Sequence, residues 1–461
     1  MQFRQLIQFR PFFSEVSRTQ LMVFTALWIS LLPNIATLRA FANSPSAGEG
    51  LLAVAFTFGG WLFTLFISFW LVTAFACVFW GRSIKLACIA LLLLAATFGY
   101  FSFVLGTLFD KTMFMNMIQT DTQETLELIN VRLLLWIALL GGLPACWVGW
   151  VKVRPAPSLV RTVLVPMAML AGLMVVTAAI VFAMYPRYAS ATRNRSISFD
   201  TITPANVFAA SVHHAASLYR SATVRAPRGE DARQSYALDK PRLVVFVLGE
   251  TARAQSFGLN GYARDTTPRM RALGGFYFPD TESCGTATGI SVPCIFSGFG
   301  REGFSLRRGL GSETLIDVVH RGGARVIWHD NDSGCKGICD KADLLDVTGY
   351  NDPRWCTESA NCFDEILLDG LEKKLRSGTK DTFLVLHLKG SHGPSYYKRY
   401  PPAFEKFVPT CKTSDLSACD PQAVRNAYDN SILYTDHVLG EITTLLQHLS
   451  DQFATAMIYA S

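Results

Sequence analysis

Five apolar stretches limit what this chain can become. They cover residues 21–38, 51–80, 86–109, 133–151 and 162–185, and none contains an acidic or basic side chain. A bilayer span needs about 20 mostly apolar residues, so each is long enough to cross a membrane. Pro33 and Asn34 interrupt the first. That stretch also lies too far into the chain, without a small-residue cleavage site, to be a signal peptide. The expected organisation is a five-helix transmembrane domain over 1–185, a linker over 186–240 and a second domain over 241–461. Of the 461 residues 50% are hydrophobic and 17% charged, an average that hides two regimes, because the first part is far more apolar than the rest.

Cations between the spans set the orientation. Arg4, Arg10 and Arg18 precede the first, Arg82 and Lys85 lie between the second and third, and Lys152, Arg154 and Arg161 lie between the fourth and fifth. These segments are expected on the cytoplasmic side. Residues 41–50, 110–131 and everything after the fifth span then face outward. The net charge of +6 is not gathered into one basic stripe, which argues against a nucleic-acid binder.

Cysteine usage points the same way. Cys77, Cys88 and Cys146 fall in the spans and read as small apolar residues. The other eight lie beyond residue 280, in local couples: Cys284 with Cys294, Cys335 with Cys339, Cys356 with Cys362, and Cys411 with Cys419. An even number at short separations in an outward domain reads as disulfides paired by proximity. A zinc site built from the close couples is the alternative.

In the linker, Thr203 is a candidate N-cap with Pro204 at the first helical position. Val207, Phe208, Val212, Ala215, Leu218 and Tyr219 follow on one helical face, which is expected to pack on the outer domain or lie on the membrane surface. His213 and His214 are adjacent, so they point in different directions and are not a joint ligand pair. From residue 241 the pattern changes. "RLVVFVLGE" (242–250), "ARVIWHD" (324–330), "TFLVLHLKG" (382–390) and "ATAMIYAS" (454–461) are apolar runs of the kind buried on both faces of a sheet. Helical stretches at 312–321, 363–376 and 426–449 alternate with them. This is an α/β domain with a largely parallel sheet.

Ligands of such sheets gather beyond the carboxyl ends of the strands. Polar residues stand there: Glu250, Thr251 and Arg253 after the first run; His329, Asp330, Asn331, Asp332 and Lys336 after the second; His387 and His392 after the third. Glu250 is a metal ligand or the partner of a salt bridge to Arg253. "SCGTATGISVPCIFSG" (283–298) has small residues that admit an anion, and a helix starting near Ser291 would aim its N–H groups at it. Thr286 there is a candidate nucleophile, its hydroxyl activated by a metal. The competing reading is a disulfide-closed surface loop. "GFGREG" (298–303) matches a dinucleotide pattern but lacks the βαβ context it requires. Asp436 and His437 sit inside a helical pattern and are not expected to join a metal site.

"GET" with "R" and "NGY" (249–262), "CGTATGISVPCIFS" (284–297), "DNDSGCKGICD" (330–340) and "HLKGSHGPSYYKRYP" (387–401) together resemble the phosphoethanolamine–lipid A transferases, which include the mobile colistin-resistance enzymes. The resemblance spans the whole chain and implies an alkaline-phosphatase/sulfatase-like domain behind five spans. It implies that Glu250 binds the catalytic zinc. It implies that Thr286 is the nucleophile, also meets that zinc and carries phosphoethanolamine as a covalent intermediate. Lys336 and His392 match residues that hold the phosphoethanolamine group, with His392 also a candidate for a second zinc. His387 lies in the same motif, where a core histidine is the competing reading. In "FDKTMFMNMIQTDTQETLELI" (109–129), Asn116, Thr120 and Glu124 match substrate-contacting residues, and their spacing of four suits one helical face. The bland reading of these three is a solvated amphipathic helix.

The implied donor is phosphatidylethanolamine and the acceptor a lipid A phosphate. The implied place is the bacterial inner membrane, catalytic domain in the periplasm, acting as a monomer. The outcome would be a less negative surface and polymyxin resistance. The alternatives are a transferase of the same superfamily with another outward acceptor, such as a core sugar or glucan, or a non-catalytic membrane protein. In the family the strand resembling "TAMIYAS" is followed by an Asp-His pair that completes the zinc site. The sequence here stops at Ser461, so the expectation is a C-terminally truncated chain with impaired activity.

Overall fold

The structure, a computed structural model, describes residues 15–78, 83–120, 122–154, 158–194, 197–221, 225–234, 239–348, 350–357 and 362–461. The chain divides into two compact units. One comprises Met1–Phe114 and Val131–Ala215, the other Met115–Asn130 and Ala216–Ser461. The residues expected to form a linker are thus divided at Ala215, and residues 115–130 belong with the α/β unit.

The first unit is helical. Gly50–Cys77, Ser83–Val104, Val131–Trp150 and Thr162–Ala183 are each long and apolar enough to cross a bilayer. The first expected span is two helices, Arg18–Leu31 and Ile35–Ala42, bent by 55°. Pro33 explains the break, since it has no N–H to continue the ladder. Asn34 satisfies the exposed backbone: its Nδ2 donates to the carbonyls of Ile29 (2.9 Å) and Thr203 (2.8 Å), and its Oδ1 accepts from the Thr203 amide (2.8 Å). Backbone groups buried like these need a partner of this kind.

The helix after Thr203 begins at Ala205, one residue later than Pro204 suggests, and runs to Ser221. Val207 is buried, and Phe208 lies 5.1 Å from Phe75 in the helical unit. Val212 is 67% exposed, so the packed face is narrower than its spacing suggests. The side chains of Leu218 and Tyr219 lie outside the described residues.

In the second unit five strands form one sheet: β1 Arg242–Leu248, β2 Arg325–Asp330, β3 Asp343–Asp346, β4 Thr382–His387 and β5 Ala454–Ala460. The order is β3-β2-β4-β1-β5 and every pairing is parallel. Alternation explains the layers. Leu243, Val245 and Val247 of β1 face one way, with Leu384 and Leu386 of β4, onto Tyr434, Val438 and Ile442 of the helix Pro421–His448. Phe246, Leu248, Trp328, Phe383 and Val385 face the other way, onto Val292 and Phe296 of the helix Thr288–Ser297. β1, β2 and β4 are covered on both faces, which is the reason their runs read as continuously apolar. β5, expected to be buried in the same way, is instead an edge strand paired only with β1, its residues half-buried or exposed and Ile458 50% exposed.

The four cysteine couples are disulfide-bonded as proximity suggests: Cys284–Cys294, Cys335–Cys339, Cys356–Cys362 and Cys411–Cys419. They are therefore not zinc ligands.

Leu384 is fully buried on the central strand. Leu384→Ala is expected to lower stability by about 2–5 kcal/mol through lost transfer energy and a residual cavity, measured by denaturant unfolding of the purified protein.

Candidate active site

The parallel register brings the ends of β1, β2 and β4 side by side. Leu248 is opposite His387, and Asp330 is opposite His387 on the other flank. The polar residues that follow these strands therefore converge at one edge of the sheet.

Glu250, Asp332 and His387 offer ligand atoms that all lie within 4.8 Å of one another. His387 is fully buried. Its Nδ1 lies 3.1 Å from Asp330 Oδ2, which also accepts from Trp328 Nε1 at 2.7 Å. A carboxylate on one ring nitrogen fixes the ring and directs the other. That other nitrogen, Nε2, is buried with no hydrogen-bond partner among the described residues and stands 3.7 Å from Asp332 Oδ2. Burial would lower the His387 pKa, but the bond to Asp330 and the charges of Asp330, Asp332 and Glu250 outweigh it and raise the group. Asp332 runs the opposite way: burial would raise it, yet His387, His392 and Lys389 hold it well below the usual carboxylate range.

A metal ion fits this set. Two carboxylates and one imidazole are a hard and borderline donor combination, and a buried ring nitrogen without a partner calls for one. The sequence singled out Glu250 but treated Asp332 only as a strand-end residue and left His387 between core and site. The structure places both beside Glu250. The detectable signal was their position just past β2 and at the end of β4.

Glu250 also joins the site to the cysteine-bounded loop. Its Oε1 accepts from the Thr251 hydroxyl at 2.6 Å and its Oε2 from the Thr288 hydroxyl at 3.0 Å. Thr288 opens the helix Thr288–Ser297, three residues earlier than the sequence suggests. Thr286 stands exposed just before that N-terminus, where the first-turn amides and the positive dipole end favour an anion. The Cys284–Cys294 bond ties the loop to its own helix.

Lys336 donates from Nζ to the Ser333 carbonyl (2.8 Å) and hydroxyl (2.6 Å), and that hydroxyl donates to Asp332 Oδ2 at 2.7 Å. Lys336 is thus linked to the cluster through one serine. His392 is half-buried, and its carbonyl accepts from Arg399 Nε at 2.7 Å.

Residues 115–130 do not form the single helix that a spacing of four assumes. Lys111–Gln119 and Thr122–Leu128 are separate helices. Asn116 and Thr120 are half-buried, and the Thr120 hydroxyl donates to the Asn116 carbonyl at 2.8 Å. The Glu124 side chain lies outside the described residues. The segment packs against the Thr286 loop at Gly289, where a Cβ would stand 2.6 Å from Gln119 Oε1 and 2.9 Å from Met115 Cε. Asp436 and His437 stay away from the site. Asp436 accepts the amides of Arg269 and Met270 at 2.8 Å each, and His437 Nε2 lies 3.1 Å from Glu365 Oε1.

The comparisons with known proteins agree with this geometry. Residues 242–461 match the sulfatase family model, and residues 66–219 match the model described as phosphoethanolamine transferase EptA/EptB. The phosphoethanolamine transferase EptA of Escherichia coli K12 is 35% identical over 454 residues, covering 95% of this chain and 80% of that protein. The phosphatidylethanolamine transferase Mcr-1 of Escherichia coli is 34% identical over 392 residues, covering 82% and 72%. Among solved structures, the integral membrane lipooligosaccharide phosphoethanolamine transferase A of Neisseria meningitidis superposes with a TM-score of 0.89 at 33% identity, covering 97% of this chain and 82% of that one. With its apolar helices in front of a sulfatase-like domain, the chain belongs to the phosphoethanolamine transferases, enzymes of the inner membrane.

Proposed function

We propose that the protein transfers phosphoethanolamine from phosphatidylethanolamine to a lipid A phosphate, with Thr286 as nucleophile, and that its metal is zinc. The observation that carries this is the convergence of Glu250, Asp332 and His387 beside the helix N-terminus that Thr286 precedes. In the first step the Thr286 oxygen attacks phosphorus, and the phosphorus–oxygen bond to the glycerol breaks. Diacylglycerol leaves with a proton, and phosphoethanolamine stays on the threonine. In the second step a hydroxyl oxygen of a singly protonated lipid A phosphate attacks that phosphorus, the bond to Thr286 breaks, and the proton lost by the attacking phosphate passes to the threonine oxygen.

Glu250, Asp332 and His387 would hold the zinc, and Thr286 would add its oxygen to the same ion. When bound, zinc supplies a Lewis acid that polarises the phosphoryl oxygens and lowers the hydroxyl pKa. Lys336 offsets negative charge developing on those oxygens, helped by the positive end of the helix. His392 holds the phosphoethanolamine group, and Asn116, Thr120 and Glu124 contact the donor headgroup. The reaction adds an ammonium to the acceptor, so the surface becomes less negative and binds polymyxins less well.

Lipid A from cells that lack their own transferase and make the intact protein is expected to carry added phosphoethanolamine by mass spectrometry. Thr286→Ala should abolish the addition, and Lys336→Ala should reduce it about 10²-fold, as for loss of one oxyanion donor. Addition to a core sugar or glucan, or no addition at all, would overturn the lipid A reading. Zinc titration of the purified protein by calorimetry should weaken at least about ten-fold in Asp332→Asn and His387→Ala, with His437→Ala unchanged. Equal binding by all four proteins would remove the assigned ligands.

A further inference from the structure

Glu127 and Arg399 are 272 residues apart in sequence, yet Arg399 Nη2 donates to Glu127 Oε2 at 2.6 Å. Their side chains are 6% and 1% exposed. The same guanidinium donates from Nε to the His392 carbonyl at 2.7 Å. Lys398 Nζ lies 3.6 Å from the other Glu127 oxygen. A guanidinium this buried is costly unless its donors are met, and its rigid fork fixes the angle between the two acceptors. The helix Thr122–Leu128 and the loop carrying His392 are therefore held in one mutual placement. The front of the same segment is fixed at Gly289, against Met115 and Gln119. Residues 115–130 thus meet the site in two places, directly three residues past Thr286 and, through Arg399, at the backbone of His392.

We propose that Glu127 and Arg399 are positioning residues for the transfer. Together they hold residues 115–130, with Asn116 and Thr120, against Thr286 and His392, so that the donor headgroup is bound in a preformed place. The identity of the donor rests on the function proposed above; the latch itself rests on the ion pair, the Arg399 bond to the His392 carbonyl and the close approach at Gly289. Neither residue touches the reacting atoms. Their loss should weaken donor binding and leave the chemical step nearly intact.

The test uses the full chain in phosphatidylethanolamine–detergent micelles. Glu127→Gln keeps the shape and removes the charge. Its KM for phosphatidylethanolamine is expected to rise about ten-fold with kcat within about two-fold. Hydrogen exchange over residues 115–130 and 388–400 is expected to quicken about ten-fold while that of β1 stays unchanged. The double variant Glu127→Leu with Arg399→Met removes both charges, so neither is left buried alone. Its melting temperature should return close to that of the wild type, while KM and exchange stay altered. Unchanged exchange in Glu127→Gln, or a wild-type KM in the double variant, would overturn the latch. If Glu127→Gln does not fold, the double variant alone decides. A wild-type protein that takes no phosphoethanolamine from the lipid would sink the donor reading instead, and the exchange measurements would still judge the latch.

Discussion

The site depends on one buried carboxylate that, among the described residues, has no cation paired with it. Asp364 accepts the amides of Lys389 (2.7 Å) and Gly390 (2.9 Å) and the Asn331 side-chain amide (2.8 Å). These bonds join the loop after β2 to the loop after β4. Burial raises the Asp364 pKa despite them, so the charge is kept only by donors aimed at it. Without the carboxylate, buried amides would be left unpaired, at about 1–3 kcal/mol each. Gly390 adds the third loop. It adopts a φ of +52°, and a Cβ there would meet the Glu250 carbonyl at 2.7 Å. Only glycine permits that approach, and the next amide, Ser391, donates to the same carbonyl at 2.9 Å. The ends of β1, β2 and β4 are thereby fixed to one another before any ligand side chain is placed.

The charges then sort themselves around this frame. Asp330 and Asp332 lie on either side of the His387 ring, Glu250 completes the cluster, and Lys389 Nζ stands 3.9 Å from Asp332. Acidic groups this close repel one another unless a cation lies between them. The protein meets part of that need with a raised His387 and a nearby Lys389. A divalent ion meets it more fully, and it does so where Glu250 is already tied to Thr288. Affinity for a cation and placement of the proposed nucleophile, Thr286, are thus two results of one arrangement of carboxylates.

How far the sequence discloses this follows from the range of each interaction. β1 and β4 are legible because both of their faces are covered, which writes an unbroken apolar run. β3 is not: Asp343–Asp346 is a short edge strand with acids at both ends and mostly exposed side chains. His387 reads as core because it is core, with no exposure at all. Its candidacy as a metal ligand comes from the ring orientation set by Asp330, 57 residues upstream, and no local pattern encodes that distance. Glu127 and Arg399 are harder still, since a charge on an amphipathic helix looks solvated until its partner is known. Asn116, Thr120 and Glu124 do not share one helix for a local reason, because the helix stops at Gln119 and a new one starts at Thr122. The motifs that resemble the transferases supplied what periodicity could not.

The disulfides show why short-range and long-range order are separate problems here. Their sequence separations are 10, 4, 6 and 8 residues. Loops that short lose little closure entropy in the unfolded chain, so the bonds do little to hold distant parts together. They act on local shape. Cys335–Cys339 closes the turn in which Lys336 takes a φ of +53°, a conformation that costs a side-chain-bearing residue about 1–2 kcal/mol. Cys284–Cys294 closes the loop that carries Thr286. The two residues assigned to meet the phosphoryl group thus sit in covalently closed loops, while the sheet, Asp364 and Arg399 set the distances between those loops. Reduction should therefore loosen Thr286 and Lys336 and leave the Glu250, Asp332 and His387 cluster largely in place, a division suited to an oxidising compartment where such loops stay closed.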